Sequence, residues 1–457
     1  MRRARLHAGL FLCLLVMILP SCQSVHKYSH VNISASDPDY LPPRPSSAAY
    51  IASVDVCYDL DWRCRNTWSG SPPERSIDQC LTDAYPRDPN FIALALSGGG
   101  SRAAVFSAAV MFELQKRGIL QQVDVISSAS GGSVAAALYA VSCDDGQDCP
   151  AAVNRDLRRT VWKENDVYPL LQKNFIDRWR INCWRPVNVV RYFSYFDRTD
   201  VMAETFAETL YGGTRETENS FLFQDLNPRR PYLILNSTIN VDSVDVPEIF
   251  TFTEENFSAI GSRLDLFPVA YGVTGSAAFP GAFHYLTLRD YKSRDAAQYL
   301  HLMDGGVMDN LGLESLKRIL KGDRYRNARV LVILADVRTL HPKSAGDPDP
   351  RKFRDYFVDF SNLSDAYSLI MLEVQRTRVS DFGKFLADRQ DGSMLIHLNF
   401  QGLRGQHGDL YKAVNDVPTN FNICDEQAAS LKKAAEILVD KAVEELRGNA
   451  YWRGIVN

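Results

Sequence analysis

Two strand–turn–helix units follow one another in this sequence, and they constrain its fold more than any other feature. The first is an apolar run at residues 91–96, followed by three glycines and an alanine-rich helical stretch at 103–117. The second is a short strand at 123–126, followed by a Ser-Gly-Gly turn and a small-residue helix at 133–141. Because successive strand–helix units pair in parallel, the sequence predicts an α/β fold with a mainly parallel central sheet flanked by helices.

Three more apolar runs extend this pattern along the chain. They predict strands at residues 232–239, 299–303 and 330–335. The last run is continuously apolar, which is typical of a central parallel strand buried on both faces. Residues 155–212 have a helical and aromatic pattern, and a final amphipathic helix is predicted at 426–447.

The N-terminus has the pattern of an export signal. Several arginines precede an apolar run at 10–19 that is too short to span a bilayer, since a helical span needs about 20 residues. The run ends in Leu-Pro-Ser-Cys, which is similar to the bacterial lipobox, whose cysteine (here Cys22) is lipidated. Ordinary cleavage nearby and an uncleaved anchor are the alternatives. Gln23 is not the Asp that retains enteric lipoproteins in the inner membrane, so we expect an exported bacterial lipoprotein anchored in the outer membrane.

Composition divides the chain into four parts. Residues after the signal are rich in Ser, Pro, Asp and Tyr and show little periodicity, whereas the predicted strands all lie further along. We expect a signal peptide at 1–21, an N-terminal tether or extension at 22–85, an α/β hydrolase-type core at 86–345 and a C-terminal helical region at 346–457.

Net charge and cysteine content indicate which partners, disulfides and metal sites to expect. The net charge is −4 and no run of Lys or Arg stands out, so we expect no nucleic-acid partner. Cys57 and Cys64, and likewise Cys143 and Cys149, are close in sequence and could close small loops in an oxidising compartment. No cysteine pair has the spacing of a zinc site with partner histidines, so we predict no metal and no cofactor.

Three clusters of small and polar residues follow predicted strands, where open α/β sheets place their sites. They are the glycine loop of Gly98, Gly99 and Gly100, the turn around Ser130, and the turn that begins at Asp304. A serine in a tight strand-to-helix turn is held with its hydroxyl exposed, and successive glycines expose N–H groups that can bind an oxyanion. Small-residue turns are also common before helices, so the Ser130 turn alone has a purely structural interpretation as well.

The glycine loop has a competing interpretation as a dinucleotide-binding site. Gly98-x-Gly100-x-x-Ala103 fits that fingerprint, and Asp124 follows about 20 residues on, where a ribose-binding acid is expected. The fingerprint needs this acid at the end of the second strand, however, whereas Asp124 precedes that strand. It also leaves the serine and aspartate turns unexplained.

Together the clusters resemble the patatin-like phospholipases. That family has a Gly-Gly-Gly-x-Arg-Gly loop, then a Gly-x-Ser-x-Gly turn, then a distant Asp-Gly-Gly. Here the same order appears as GGGSRA at 98–103, SASGG at 128–132 and DGG at 304–306. The segment SAAFP at 276–280 resembles the family's Ser-x-Ala-x-Pro, and the likeness covers about 91–335.

The resemblance implies a patatin-like three-layer sandwich and a lipid acyl hydrolase, either of phospholipase A type or a lysophospholipase. It implies a catalytic dyad without histidine, in which Asp304 takes a proton from Ser130 as the serine attacks an ester of a membrane lipid. The amides of the glycine loop, with Gly131 possible as a further donor, would hold the oxyanion. Arg102 and Ser276 would bind the substrate or support the site.

Two positions depart from the family pattern. Ser128 replaces the first glycine of the nucleophile turn, and Ala103 replaces the last glycine of the loop. Both substitutes are small, so close packing should survive. If position 128 required a positive φ, serine would cost about 1 kcal/mol or more there.

Three questions stay open at this point. A Ser-Asp-His hydrolase is permitted by chain order, because His341, His397 and His407 follow Asp304, although none follows a strand convincingly. A lipid-binding lipoprotein of the same fold with little catalysis is a second alternative. The aromatic and arginine-rich stretch at 162–196 is either helical core or a cap that dips into lipid.

Overall fold

A computed structural model gives the fold of this chain. It describes residues 30–32, 90–146, 149–152, 156–213, 217–239, 249–292, 298–322, 325, 328–339, 360–389 and 392–456. The expectations for the signal peptide, for Cys22, for Cys57 and Cys64, and for His341 fall outside these residues.

One twisted sheet organises the described chain. Its central strands β3, β2, β1, β7 and β8 lie side by side in that order and are all parallel, while β6 and β5 continue the β3 edge in antiparallel pairing and β4 also pairs with β3. The predicted mainly parallel sheet is therefore confirmed. The strands are β1 (Asn90–Leu96), β2 (Val125–Ala129), β3 (Tyr232–Ile239), β4 (Ile249–Thr251), β5 (Leu286–Asp290), β6 (Gln298–Asp304), β7 (Arg329–Asp336) and β8 (Met394–Asn399).

Helices follow most of the strands and cover both faces of the sheet. The first two, α1 and α2, follow the first two strands as the sequence predicts, but they begin at Gly100 and Gly131, three and two residues before the predicted starts at 103 and 133. The helices are α1 (Gly100–Lys116), α2 (Gly131–Val141), α3 (Glu164–Leu171), α4 (Phe175–Cys183), α5 (Pro186–Arg191), α6 (Arg198–Leu210), α7 (Glu254–Ala259), α8 (Val269–Ser276), α9 (Gly306–Asp309), α10 (Leu313–Leu320), α11 (Phe360–Ala387), α12 (Gly408–Asn415) and α13 (Asp425–Gly448).

The two faces of the sheet have separate apolar cores, because side chains alternate along each strand. On β1, Ile92, Leu94 and Leu96 pack with α1, α2 and α13, whereas Phe91, Ala93 and Ala95 pack with α10 and the end of α11. Both sets of side chains are buried, as expected for a parallel sheet covered on both sides. The result is the three-layer sandwich that the resemblance implies.

Helix α1 is almost wholly buried, which its small side chains permit. It ends at Lys116, and Gly118 follows with φ 69°. The amide of Ile119 then donates to the carbonyl of Leu114 at 2.9 Å, which satisfies a carbonyl that the last turn leaves without a helical partner. The helix therefore ends within one residue of the predicted boundary at 117.

The C-terminal region adds to the sheet as well as supplying helices. Strand β8 pairs in parallel with β7, with Leu334 opposite His397. Helix α13 packs along α1, and its buried Leu431 and Leu438 belong to the same core. At about 1.5–3 kcal/mol for each fully buried leucine, this packing ties the last residues of the chain to the helix that leaves the glycine loop.

The aromatic middle of the chain has a buried part and an exposed part. Trp162 stacks on Phe112 with ring centroids 4.8 Å apart, so the start of this stretch is core. By contrast, α4, α5 and the turn after them expose apolar side chains. Cys143 and Cys149, which lie before this stretch, form a disulfide with their Cα atoms 5.7 Å apart. Among the described helices, none combines the length and apolarity that crossing a bilayer requires.

Candidate active site

The three clusters meet at one edge of the sheet. The glycine loop follows β1 and Ser130 follows β2, and both strands are parallel and adjacent. Asp304 arrives differently from the expectation, because β6 runs antiparallel to β3. Its register places Asp304 opposite Ser237, near the carboxyl end of β3, and this brings the aspartate back to the Ser130 turn.

Ser130 occupies a strained turn between β2 and α2. Its φ is 48° and its ψ is −122°, and among the described residues it is the only one other than glycine with a positive φ. Such a conformation costs a non-glycine residue of order 1–3 kcal/mol and persists only where its surroundings enforce it. Ser276 enforces it here, since the Ser130 amide donates to both the carbonyl and the hydroxyl of Ser276, each at 3.1 Å.

Ser130 and Asp304 form a buried hydrogen-bonded pair. The Ser130 hydroxyl donates to Oδ2 of Asp304 at 2.8 Å, and the amide of Gly306 donates to Oδ1 at 2.7 Å. Burial raises the pKa of Asp304 to about 6, because the charged carboxylate loses its water, while the bonds from Gly306 and Ser130 lower it in part. The carboxyl is therefore ionised at neutral pH yet more basic than an exposed aspartate.

The glycine loop offers fewer N–H groups than expected. The Gly98 amide donates to the carbonyl of Asn310 at 2.9 Å, so Gly98 is not available as an oxyanion donor. Within the described chain, the amides of Gly99, Gly100 and Gly131 have no protein acceptor. A Cβ atom on Gly131 would collide with the backbone of Gly100, which shows that these two amide-bearing segments touch.

Gly98 contributes through its lack of a side chain instead. A Cβ atom there would lie 2.9 Å from the Cβ atom of Ser130 and would collide with the side chain of Asn310. Gly99 and Gly100 have φ values of 144° and 60°, which side chains rarely allow. The loop thus needs its glycines for close approach at 98 and for backbone conformation at the next two positions.

Serine in place of glycine at position 128 does not strain the backbone. Ser128 lies in β2 without a positive φ, so the conformational cost considered for this position does not arise. Its hydroxyl lies 3.0 Å from that of Ser133 and 3.2 Å from the carbonyl of Ile234. Ser133 in turn contacts Ser276 at 2.9 Å, so the added hydroxyl joins a polar chain beneath the Ser130 turn. Ala103, the other departure, lies fully buried in the first turns of α1.

Arg102 supports the glycine loop and does not face Ser130. Its guanidinium donates to the carbonyl of Val417 at 2.6 Å and to the hydroxyl of Thr419 at 2.8 Å. Burial lowers its pKa to about 10, which still leaves it charged at neutral pH. Next to it, the Ser101 amide donates to the carbonyl of Asn420 at 2.7 Å. Of the two roles expected for Arg102, supporting the site fits these contacts.

Sequence reasoning missed two asparagines of the site. Asn310 lies just after the Asp-Gly-Gly turn and packs against Gly98 and Gly306. Asn236 lies in β3, where its amide donates to the carbonyl of Ser128 and to the hydroxyl of Ser127, each at 2.9 Å. An asparagine inside the apolar run YLILNSTI is the signal that could have identified Asn236.

The histidines of the described chain do not complete a triad. His397 lies on β8, three strands from β2 and hence about 14 Å across the sheet. Its Nε2 lies 2.9 Å from Oδ2 of Asp336. Burial raises the pKa of Asp336, but the bond to His397 and the charge of Arg338 outweigh it and lower the pKa overall. His407 precedes α12, and no described histidine contacts Ser130.

The dinucleotide interpretation also fails on position. Asp124 lies at the amino end of β2, and its carboxylate accepts from the amide of Ile92 at 2.8 Å. It is therefore at the opposite end of the strands from the glycine loop, where a bound ribose would need it. Within the described residues, no group of three or more His, Cys, Asp or Glu side chains is placed to hold a metal ion.

The fold and the site define an α/β protein with a hydrolase-type serine turn beside a buried carboxylate. Residues 94–317 match the family described as patatin-like phospholipase, so the chain carries a patatin-like phospholipase domain, a class of lipid acyl hydrolases. No curated protein matches the chain significantly in sequence.

Solved structures similar to this chain are distant phospholipases and a bacterial protein. Human GIVD cytosolic phospholipase A2 is 13% identical over 88% of this chain and 63% of its own, with a TM-score of 0.40. VipD from Legionella pneumophila is 14% identical over 78% of this chain and 67% of its own, with a TM-score of 0.33. The chain thus spans less than two thirds of the human enzyme's length.

Proposed function

We propose that this protein hydrolyses acyl esters of membrane lipids, as a phospholipase A or a lysophospholipase, with Ser130 as nucleophile and Asp304 as base. The observation that carries the proposal is the 2.8 Å hydrogen bond from the strained, buried Ser130 to the buried Asp304. A structural serine would gain nothing from a positive φ, whereas a nucleophile gains an exposed reaction trajectory. The patatin-like phospholipase match supports a lipid ester as the substrate class.

The acylation step follows from this pair. Ser130 Oγ attacks the ester carbonyl carbon while its proton moves to Oδ2 of Asp304. When the tetrahedral intermediate collapses, the ester C–O bond breaks and Asp304 returns the proton to the departing alcohol. The raised pKa of Asp304 suits both halves of this exchange, because the group accepts and releases a proton close to neutral pH.

Deacylation repeats the chemistry with water. Asp304 takes a proton from a water molecule that attacks the acyl carbon, the bond to Ser130 Oγ breaks, and the proton returns to the serine. In both steps the carbonyl oxygen becomes an oxyanion. The amides of Gly99, Gly100 and Gly131, which have no acceptor among the described residues, support its stabilisation, and the loss of one such donor typically slows catalysis about 10²–10³-fold.

A fluorophosphonate probe and a lipid panel test the proposal. The probe labels only an activated serine, so the wild type should be labelled and the Ser130→Ala variant should not. Product mass spectrometry on phospholipids, lysophospholipids and galactolipids should then show released fatty acid from the wild type alone. A wild type that binds lipid but neither reacts with the probe nor releases fatty acid would instead be a lipid-binding protein of this fold.

We further propose that the protein is exported and anchored through a lipid on Cys22, in the outer membrane. The support is the sequence pattern of arginines, a short apolar run and Leu-Pro-Ser-Cys. Each buried CH₂ of an attached acyl chain contributes about 0.8 kcal/mol, so several chains hold a protein on a membrane. Mass spectrometry of the mature N-terminus tests this, and an unmodified terminus at any other residue would end the lipoprotein proposal.

A further inference from the structure

Residues 181–195, which we call the apolar cap, expose a dense set of large apolar side chains. They cover the end of α4, α5 and the turn after it. Eight of the fifteen exposed large apolar side chains in the described chain lie within this short stretch, so they are not the scattered single residues that a soluble surface normally carries. The eight are Ile181, Trp184, Val187, Val189, Val190, Tyr192, Phe193 and Tyr195.

In the apolar cap, polar asparagine side chains are buried and large apolar side chains are exposed, the reverse of a helix surface that faces water. Its asparagines point inward: the Asn182 amide donates to the hydroxyl of Thr205 on α6 at 2.9 Å, and the Asn188 amide donates to the carbonyl of Asn182 at 2.9 Å. Both asparagines are buried, whereas Trp184 is 82% exposed and Val187 is 62% exposed. A helix pair that faced water would carry the opposite arrangement, so this outer face is suited to an apolar medium.

Helix α4, whose last residues begin the apolar cap, is connected to the active-site loops by two contacts. The first runs through the loop that rests on the glycine loop, because the carbonyl of Phe421, next to Asn420, accepts from the amide of Phe175 at the start of α4. The second runs along the segment that begins at Ser276, where Phe283 lies against Trp179 of α4 with ring centroids 5.4 Å apart. The cap is thus joined through α4 to the loop that contacts the glycine loop and to the segment that begins at Ser276.

The second route extends the apolar surface. Phe279 and Tyr285 flank Phe283 and are 47% and 43% exposed. Exposed aromatic residues therefore lie on both the cap and the segment that leads to the nucleophile.

Positive charge borders this surface. The stretch 177–197 carries four arginines and two aspartates, although the whole chain has a net charge of −4. Arg180 is 67% exposed, with its guanidinium 3.7 Å from Asp177, and Arg178 is 40% exposed, with its guanidinium 4.0 Å from Glu208. Tryptophan and tyrosine favour the headgroup level of a bilayer, and arginines beside them fit anionic phosphates.

We infer that the apolar cap docks this protein on an anionic lipid surface, with Trp184, Phe193 and Tyr195 entering the headgroup layer. This inference rests on the proposed function, since it explains how a buried serine meets a substrate that stays in a membrane. Docking would bring α4, which contacts Phe421 and Phe283, against the lipid surface that holds the substrate.

Vesicle flotation of the full chain tests the inference. We would carry Ser130→Ala and Cys22→Ser in every protein, so that neither turnover nor a lipid on Cys22 affects binding. Adding Trp184→Ser, Phe193→Ser and Tyr195→Ser should weaken binding to phosphatidylglycerol-containing vesicles roughly tenfold or more. The control is Leu369→Ser with Ile370→Ser, which removes two other exposed apolar side chains, on α11, and should leave binding unchanged.

Three further measurements separate lipid from other partners. Arg180→Gln with Arg185→Gln should weaken binding to phosphatidylglycerol vesicles but not the residual binding to phosphatidylcholine vesicles. Brominated lipids should quench tryptophan fluorescence, and Trp184→Leu should remove most of that quenching. Sedimentation of the cap variant checks for self-association: a parent dimer that the triple substitution dissociates would show that a second copy covers the cap and would overturn the inference.

Unchanged vesicle binding by the triple variant would also overturn it. The outcome for the proposed hydrolase is independent, because binding is measured in a protein that cannot turn over. If the parent chain with Ser130 restored binds vesicles through the cap yet releases no fatty acid, the docking surface stands and the catalytic proposal fails.

Discussion

Ser130 Oγ lies 2.8 Å from Oδ2 of Asp304, although 174 positions separate the two residues in the chain. Both residues destabilise the folded state. The serine holds a φ of 48°, and the aspartate is a buried carboxylate. Both costs are explained if the pair serves catalysis. Both can be measured as an increase in the free energy of unfolding when the serine or the charge of the aspartate is removed.

Removing the strain at Ser130 should stabilise the protein. Ser130→Gly and Ser130→Ala both delete the nucleophile, so both should abolish ester hydrolysis. Only glycine adopts the φ of 48° freely. The free energy of unfolding of Ser130→Gly should therefore be about 1 kcal/mol higher than that of Ser130→Ala. Chemical denaturation of the three proteins measures the difference. Equal stability of the two variants would show that the turn relaxes once the hydroxyl is gone.

Removing the charge of Asp304 should have opposite effects on rate and stability. Burial raises the pKa of this carboxyl from 3.8 to about 6, so the folded state holds the proton more tightly than the unfolded chain does. The stabilising contribution of this protonation is present in full below about pH 4 and is lost as the pH rises through about 6. At pH 8 the ionised group therefore costs the native state up to about 3 kcal/mol, since one pKa unit is about 1.4 kcal/mol.

Asp304→Asn should accordingly be inactive yet more stable than the wild type at pH 8, with the gain shrinking towards pH 4. In the wild type, the hydrolysis rate should rise with pH through about 6 and then level off, as Asp304 becomes ionised. Thermal melts and a pH–rate profile check both statements. His397→Gln serves as the control, and if it abolished activity while Asp304→Asn did not, a histidine-dependent mechanism would replace the dyad.

Features of the site that depend on neighbouring residues could be predicted from the sequence, whereas features that depend on residues far apart in the chain could not. The glycine loop and the Ser130 turn each lie within one strand–turn–helix unit, so local pattern sufficed to place them beside each other on parallel strands. Asp304 is different. Its strand β6 runs antiparallel to β3, and only the register with Ser237 brings it to the serine. The motif located the residue, but nothing local in the sequence specified this route.

The role of the C-terminal region also depended on distant contacts. Strand β8 reads MLIHLN and pairs with β7 about 60 positions away, which a local pattern cannot reveal. The loop at 417–420 contacts the glycine loop through Arg102, again across more than 300 positions. The Gly98 amide, predicted as an oxyanion donor, is used by Asn310. Backbone hydrogen bonds of this kind are invisible until the turns are packed together.

Restoring the family's glycine at position 128 should not improve the protein. Ser128 has no positive φ, and its hydroxyl bonds to Ser133 and to the carbonyl of Ile234. Ser128→Gly would delete these bonds and place a flexible residue inside β2, at a cost of about 1–2 kcal/mol. We expect a lower unfolding midpoint in urea and an unchanged rate on a soluble ester. A marked rise in rate would mean that the hydroxyl restrains the Ser130 turn.

Loosening the loop at 417–420 should impair catalysis from outside the serine–aspartate pair. Arg102 donates to Val417 and Thr419, and hydrogen bonds from a charged donor contribute about 1.5–3 kcal/mol each. Arg102→Gln retains polarity but cannot reach both acceptors, so the loop at 417–420 should detach more often. The Ser101 amide would then lose its hydrogen bond to the carbonyl of Asn420.

Hydrogen exchange at residues 417–421 should therefore speed up in Arg102→Gln, and kcat should fall more than the labelling of Ser130 by a small fluorophosphonate. Arg117→Gln is the matched control, because Arg117 follows the last residue of α1, at the opposite end from Arg102, and pairs with Glu113 at 2.6 Å. If exchange at 417–421 stayed slow while activity fell, Arg102 would have to contact the substrate directly, contrary to the hydrogen bonds that now occupy both of its terminal nitrogens.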